Sequence, residues 1–159
     1  MPAPKLSGLA HLVIRVRDVD RSVSFYTDVL GLEVQEQFPG MAFLSAPGST
    51  ASHELGLMAI GTGAPAPDPL RVGLYHFAWQ MDTIKQLEEF HLHLVDRRAN
   101  IVGYGDHGAS FGIYFTDPDG NEIEVFYELP RDQWPSGAGK FRSSFPLSIN
   151  IQPVGRSTN

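Results

Sequence analysis

Two histidines, His11 in LAHLVIRV and His76 in LYHFAWQM, occupy matching positions in stretches sixty-five residues apart, and a carboxylate, Glu124, follows in EIEVF. Two imidazoles and one carboxylate form a donor set that suits non-haem Fe(II) and leaves coordination positions open, and Mn(II), Zn(II) or Ni(II) also accept it. The chain has no cysteine, which excludes disulfides, thiolate nucleophiles and zinc-thiolate sites and leaves imidazole, carboxylate and neutral oxygen as metal donors. His53, His107 and Tyr114 add groups that move protons rather than bind metal. A catechol chelates a metal through both oxygens, and a neutral imidazole nearby can take its proton and later return one. A lone strand histidine is more often a hydrogen-bonded core residue than a ligand. The case therefore rests on the two histidines being equivalent and on a carboxylate sharing their face.

That equivalence comes from an internal repeat. LAHLVIRV alternates as a strand, and DVDRSVSFYTDVLGL then spaces Val19, Val23, Tyr26 and Leu30 as a helix. LYHFAWQM repeats the strand, and the stretch from Asp82 repeats the helix with Ile84, Leu87, Phe90 and Leu94. Three short strand-like stretches follow each helix: 33–38, 41–46 and 53–60, then 100–104, 110–116 and 122–127. Each half is thus β-α-β-β-β. The expected fold class is α+β, with paired βαβββ modules whose mixed sheets cup around a metal site. Module 1 covers about 7–60, the linker 61–70, module 2 about 71–128 and a C-terminal arm 129–159, all within one domain. Alternation turns Leu12, Ile14 and Val16 toward the first helix and His11 and Val13 away from it. It likewise turns Ile113, Phe115, Ile123 and Val125 toward the second helix, sending Tyr114, Glu124, His76 and Ala78 to the opposite face. His53 is expected to share its face with Leu55 and Leu57. Val13, Leu55, Ala78 and Phe126 are candidate apolar lining for an aromatic substrate. Glu122 and Glu128 read as solvated edge residues, and His91 and His93 as surface residues of the second helix.

With 42% hydrophobic and 19% charged residues among 159, the chain can bury one sizeable core. Twelve basic against eighteen acidic side chains give a formal charge of -6 without a Lys/Arg run, so no nucleic-acid partner is expected. No stretch reads as a signal peptide or a membrane span, and the expectation is a cytoplasmic homo-oligomer without membrane contact.

The spacing Gly105-x-His107, Ile113-Tyr114, Asp117-Pro118-x-Gly120 and Glu124 resembles the signature of the type I extradiol ring-cleavage dioxygenases, within the vicinal oxygen chelate superfamily. SHELGLM, LAHLVI and LYHFAW resemble the segments around that family's acid–base histidine and its two metal-binding histidines. The resemblance spans residue 7 to about 130. It implies an Fe(II) site, with Mn(II) possible, on His11, His76 and Glu124. It also implies His53 as acid–base catalyst, His107 and Tyr114 against substrate or oxygen intermediates, and an aromatic diol and O2 as substrates. Many extradiol enzymes carry two such domains, whereas one is read here. Glyoxalase-like lyases and thiol transferases of the superfamily are the rival reading. The lyases generally take a fourth protein ligand near the end of the first module, where Glu54 is the one carboxylate on offer.

Overall fold

A computed structural model describes residues 3–136 of the chain. Its contacts separate it into two compact units, 3–68 together with 118–120, and 69–117 together with 121–136. Each unit is one βαβββ module.

In the first unit, β1 (Leu12–Val16) leads into α1 (Val19–Asp28), and β2 (Glu33–Phe38), β3 (Met41–Ser45) and β4 (Leu55–Ala59) complete a mixed sheet ordered β1-β4-β3-β2. The Asp18 side chain caps α1 by accepting from the Arg21 N–H, which satisfies a donor that the first turn leaves without a partner. β1 pairs parallel with β4, matching Leu12 to Leu55, Val13 to Gly56 and Ile14 to Leu57. Antiparallel pairing of β3 with β4 sets Leu44 against Leu55, Ala42 against Leu57 and Phe43 against Gly56. Paired residues share a face, so Ile14, Leu44, Leu55 and Leu57 form a buried layer against α1, whose Tyr26 is fully buried. The opposite face carries the row Val13, Gly56, Phe43, Glu36, the last delivered by a bulge in β2 between Val34 and Glu36.

The second unit repeats the plan with β5 (His76–Met81), α2 (Ile84–Asp96), β6 (Asn100–Asp106), β7 (Ser110–Thr116) and β8 (Glu122–Glu128), ordered β5-β8-β7-β6. A capping box starts α2, with Thr83 accepting from the Gln86 N–H and the Gln86 side chain accepting from the Thr83 N–H. Ile113, Phe115, Ile123 and Val125 are buried on the helix side, and Phe115 meets Phe90 of α2 with ring centroids 6.1 Å apart. The other face carries Ala78, Glu124, Tyr114 and Gly103 in one row, again reached through a bulge, here between Ile101 and Gly103. The repeat read from sequence therefore extends to register and bulge.

The turn from β7 to β8 shows why its residue types are needed. Asp117 accepts from the backbone and the side-chain amide of Asn121, both at 2.8 Å, and Gly120 takes a φ of +92°, a left-handed value that side chains disfavour. Asp119, only 6% exposed and counted with the first unit, accepts from the Arg17 N–H and Nη1 at 2.9 Å each and also from Arg21 Nη2. Burial alone would raise its carboxyl pKa; the Arg17 and Arg21 hydrogen bonds outweigh burial and hold it below the usual carboxylate range.

Several strand ends shift by one or two residues from the sequence reading, and two differences bear on the site. β4 starts at Leu55 rather than His53, and the segment after β8 forms a short 3-10 turn, Arg131–Gln133. There Trp134 Nε1 donates to the Leu129 carbonyl at 2.7 Å, and the Arg131 guanidinium lies 4.6 Å from the Trp134 ring. The arm from 137 to 159 lies outside the described residues. Among those described, no helix is long and apolar enough to cross a membrane.

Candidate active site

In the second unit, the carboxylate at the centre of the sheet is built into a hydrogen-bonded chain. Tyr114 and Glu124 are direct cross-strand partners, and the phenol donates to Glu124 Oε1 at 2.7 Å. His107 Nε2 lies 2.8 Å from the same phenol oxygen. The phenol's one proton goes to Glu124, so His107 must donate through Nε2–H, and the chain runs His107 to Tyr114 to Glu124. Burial, then the hydrogen bond to Glu124 and its charge, raise the Tyr114 pKa far above the ordinary phenol value, so it stays protonated as a donor.

Room for this chain is made by absent side chains. A Cβ on Gly112 would stand 2.3 Å from Glu124 Oε1, and one on Gly105 would stand 2.7 Å from His107 Nε2. These two glycines face each other across β6 and β7. Glycine here is required for space rather than for backbone conformation, since neither has a left-handed φ.

Glu124 Oε1 is occupied by Tyr114, and Oε2 turns to His76 Nε2 at 3.3 Å. Two donors each roughly 2.1 Å from one ion, at adjacent coordination positions, lie about 3.0–3.4 Å apart. The pair thus fits a shared metal by spacing as well as by donor type. His76 Nδ1 is buried without a hydrogen-bond partner, its nearest acid being Glu122 Oε1 at 3.8 Å. Metal-ligating histidines usually hold a carboxylate on the second nitrogen, and Glu122 is placed for that role. Burial and the charge of Glu124 raise the Glu122 pKa, and His76 moderates the rise. The sequence reading set Glu122 aside as an edge residue. Its spacing of two from Glu124, on a strand paired to the His76 strand, was the available signal. Among the described residues no group of three His, Asp or Glu side chains is gathered closely enough to hold a metal ion.

In the first unit, His11 and His53 lie together, with ring centroids 4.5 Å apart, and Phe43 packs 4.8 Å from His53. Ser52 Oγ is 3.2 Å from His53 Nδ1. His53, Phe43, Ser52, Gln35 and Glu36 line a cavity of about 400 Å³. Phe43, Gln35 and Glu36 were not singled out from sequence, because the bulge that brings β2 into this row has no local signature. Of the lining candidates, Val13 and Ala78 are exposed on the expected faces, and Phe126 is half-buried on the face of Glu124, paired with Gly112. Leu55 requires correction: it is fully buried in the core. Because β4 begins at Leu55, the strand alternation that placed His53, Leu55 and Leu57 on one face does not extend back to His53. On the outer side of the second unit, His91 Nε2 is 2.8 Å from the Tyr104 hydroxyl, so His91 is half-buried and engaged.

Equivalence between modules identifies one further position. His76 pairs with Glu122 and Ala78 with Glu124, while Val13, two residues after His11, pairs with Gly56. Gly56 therefore stands where the second module has Glu124, and Phe43 stands where it has Tyr114. Glu54, equivalent to Glu122, accepts from the Ala46 N–H at 2.8 Å and the Ser49 hydroxyl at 3.0 Å, which ties its carboxylate into the loop before it.

The family model described as Glyoxalase/Bleomycin resistance protein/Dioxygenase superfamily matches residues 8–125. The chain is similar to a catechol-2,3-dioxygenase of Bacillus subtilis (strain 168), 32% identical over 126 residues covering 79% of this chain and 43% of that protein. It is also similar to biphenyl-2,3-diol 1,2-dioxygenase 3 of Rhodococcus globerulus, 33% identical over 118 residues covering 74% of this chain and 61% of the relative. The chain thus spans about half the length of these curated relatives. A crystal structure of a glyoxylase/bleomycin resistance protein/dioxygenase domain from Frankia sp. EAN1pec shares the fold, with a TM-score of 0.66 at 22% identity over 79% of this chain and all of that one. Metallothiol transferases and a lactoylglutathione lyase are among the further matches.

Proposed function

Since the chain belongs to the glyoxalase/bleomycin resistance protein/dioxygenase superfamily, we propose that it is an Fe(II)-dependent extradiol dioxygenase, opening the ring of a catechol-type diol and placing both atoms of O2 in the product. The observation that carries this reading is Gly56. A lyase-type ligand set generally adds a fourth protein ligand near the end of the first module. The position equivalent to Glu124 has no side chain there, and Glu54 is tied to the 46–49 loop. A three-donor set of His11, His76 and Glu124 is what the repeat leaves, with His11 included on its match to His76. The thiol transferases also use three ligands. Against them stands the number of proton-handling groups, His53, His107 and Tyr114, which thiol addition does not require.

Bound iron supplies the one-electron chemistry through which ground-state dioxygen can react with a diol. The groups of the chain do the rest. Tyr114 fixes the Glu124 carboxylate through Oε1 and leaves Oε2 beside His76 Nε2, where the two would hold the iron, and Mn(II) suits the same donors. Ser52 and the rings of His11 and Phe43 hold the His53 imidazole. With the proton on Nδ1 toward Ser52, Nε2 is the basic atom that takes a diol proton and returns it to the departing oxygen. A homo-oligomer in the cytoplasm completes the proposal, tested by light scattering and cell fractionation.

Anaerobic loading with Fe(II), followed by a catechol panel under labelled dioxygen, tests the reaction. The expected product is ring-opened and carries two labelled oxygens. Turnover that needs a thiol, with every catechol left intact, would replace this reading with the transferase or lyase one.

A further inference from the structure

The cavity beside His53 has a floor and a rim of different chemistry. Phe43 supplies the floor, with Phe38 6.0 Å away from it ring to ring. Glu36 supplies the rim, set directly opposite Phe43 by the β2–β3 register. Gln35, the extra residue of the bulge, lines the same space, and its amide is held by a 2.7 Å hydrogen bond to the buried Ser45 hydroxyl. Among the described residues, no Lys or Arg lines the cavity. In the second module the corresponding row reads Glu124, Tyr114, Gly103, so the carboxylate of Glu36 has no counterpart there. Where the second module has Glu124 and Tyr114 the first has Gly56 and Phe43, and it carries an acid at the far end of the row.

We infer that this cavity receives the ring substituent of the diol, and that Glu36 makes it selective for uncharged or cationic substituents over anionic ones. The inference rests on the dioxygenase reading for the identity of the diol, but the selectivity follows from the cavity itself. A ring held at the basic atom of His53 lies against Phe43, and a group projecting from it points along the row toward Glu36. About 400 Å³ is ample for a short chain or a second ring. A carboxylate there meets a like charge without a compensating cation among the lining residues. Because Glu36 is exposed, the penalty is that of a partly solvated pair, roughly fivefold to tenfold at low salt and less at high salt.

Three catechols carrying ethyl, carboxymethyl or aminoethyl para to one hydroxyl differ mainly in charge. Their binding is measured anaerobically by calorimetry, with and without added Fe(II), and their ring opening by oxygen uptake, for the wild type and Glu36→Gln at low and high salt. The wild type should bind the carboxymethyl compound about fivefold to tenfold more weakly than the ethyl compound and the aminoethyl compound at least as tightly, and Glu36→Gln should close most of the gap. Equal binding of all three, or a gap that survives Glu36→Gln, overturns the inference even if every diol is opened. Charge-ordered, Glu36-dependent binding without ring opening of any diol upholds it and sinks the dioxygenase reading instead.

Discussion

Gly112→Ala adds one methyl group beside the carboxylate that the proposed metal site depends on. Built on the present backbone, that carbon stands 2.3 Å from Glu124 Oε1, 3.1 Å from Cδ and 3.2 Å from Cγ. An ordinary carbon–oxygen contact is roughly 3.3 Å, so the carboxylate must withdraw by about 1 Å or the strands must part. Withdrawal costs the 2.7 Å hydrogen bond from Tyr114 and turns Oε2 away from His76 Nε2. Losing the orientation of a metal-binding carboxylate typically lowers affinity about 10-fold to 100-fold, and a displacement near 1 Å slows chemistry by about 100-fold. Overpacking of this kind destabilises by about 1–3 kcal/mol, a melting shift of roughly 2–10 °C for a chain of this size. Gly103→Ala is the matched control, since a Cβ there meets nothing within 4 Å. Competition of Fe(II) or Zn(II) against a chromophoric chelator, with a thermal melt of each variant, reads both effects. If Gly112→Ala keeps wild-type metal affinity, or if Gly103→Ala loses as much, the steric argument is wrong.

His76→Ala and His53→Phe separate metal binding from proton transfer. The first should lose metal while remaining folded; the second should keep metal and diol binding and turn over about 100-fold more slowly. Full iron occupancy in His76→Ala, or an unchanged rate in His53→Phe, would remove that residue from its role. Asp119→Asn should cost about 1–2 kcal/mol at neutral pH by weakening the hydrogen bonds to Arg17 and Arg21. Asp119 has a lowered pKa when folded, so its contribution is complete above the ordinary carboxylate pKa near 4 and is lost as pH falls through the lower folded value. Melting curves of the two proteins should therefore converge below about pH 4, and a constant gap down to acid pH would contradict the assignment.

The repeat, the faces of β1, β5, β7 and β8, and the shared face of Tyr114 and Glu124 were legible because each follows from repetition or local alternation, whereas His107 joined them through the family resemblance. His53 was recognised, but its neighbours were misplaced: alternation is a property of strands, and residues 53 and 54 precede one. Gly56 as the counterpart of Glu124 needed the pairing of β1 with β4, which no local pattern encodes. Gly112 and Glu122 were missed for a related reason. One matters through a side chain on the neighbouring strand, and the other through a histidine forty-six residues earlier. Charge at Glu36 became meaningful only when the bulge put it opposite Phe43.

The bulge in β2 also bears on solubility. β2 is the last strand of its sheet and is exposed at every residue, the kind of edge on which another chain could add a strand and begin an aggregate. Val34 and Phe38 would make such an edge adhesive, being 41% and 44% exposed. The extra residue at Gln35 breaks the even spacing of backbone donors and acceptors that an incoming strand must match, and Glu33 and Glu36 would bring like charges face to face if two copies met edge to edge. An irregularity inherited by both halves of the repeat thus protects the molecule from itself. Removing it by deleting Gln35 would straighten the edge and leave the protein prone to self-association, and would also take away one wall of the cavity beside His53.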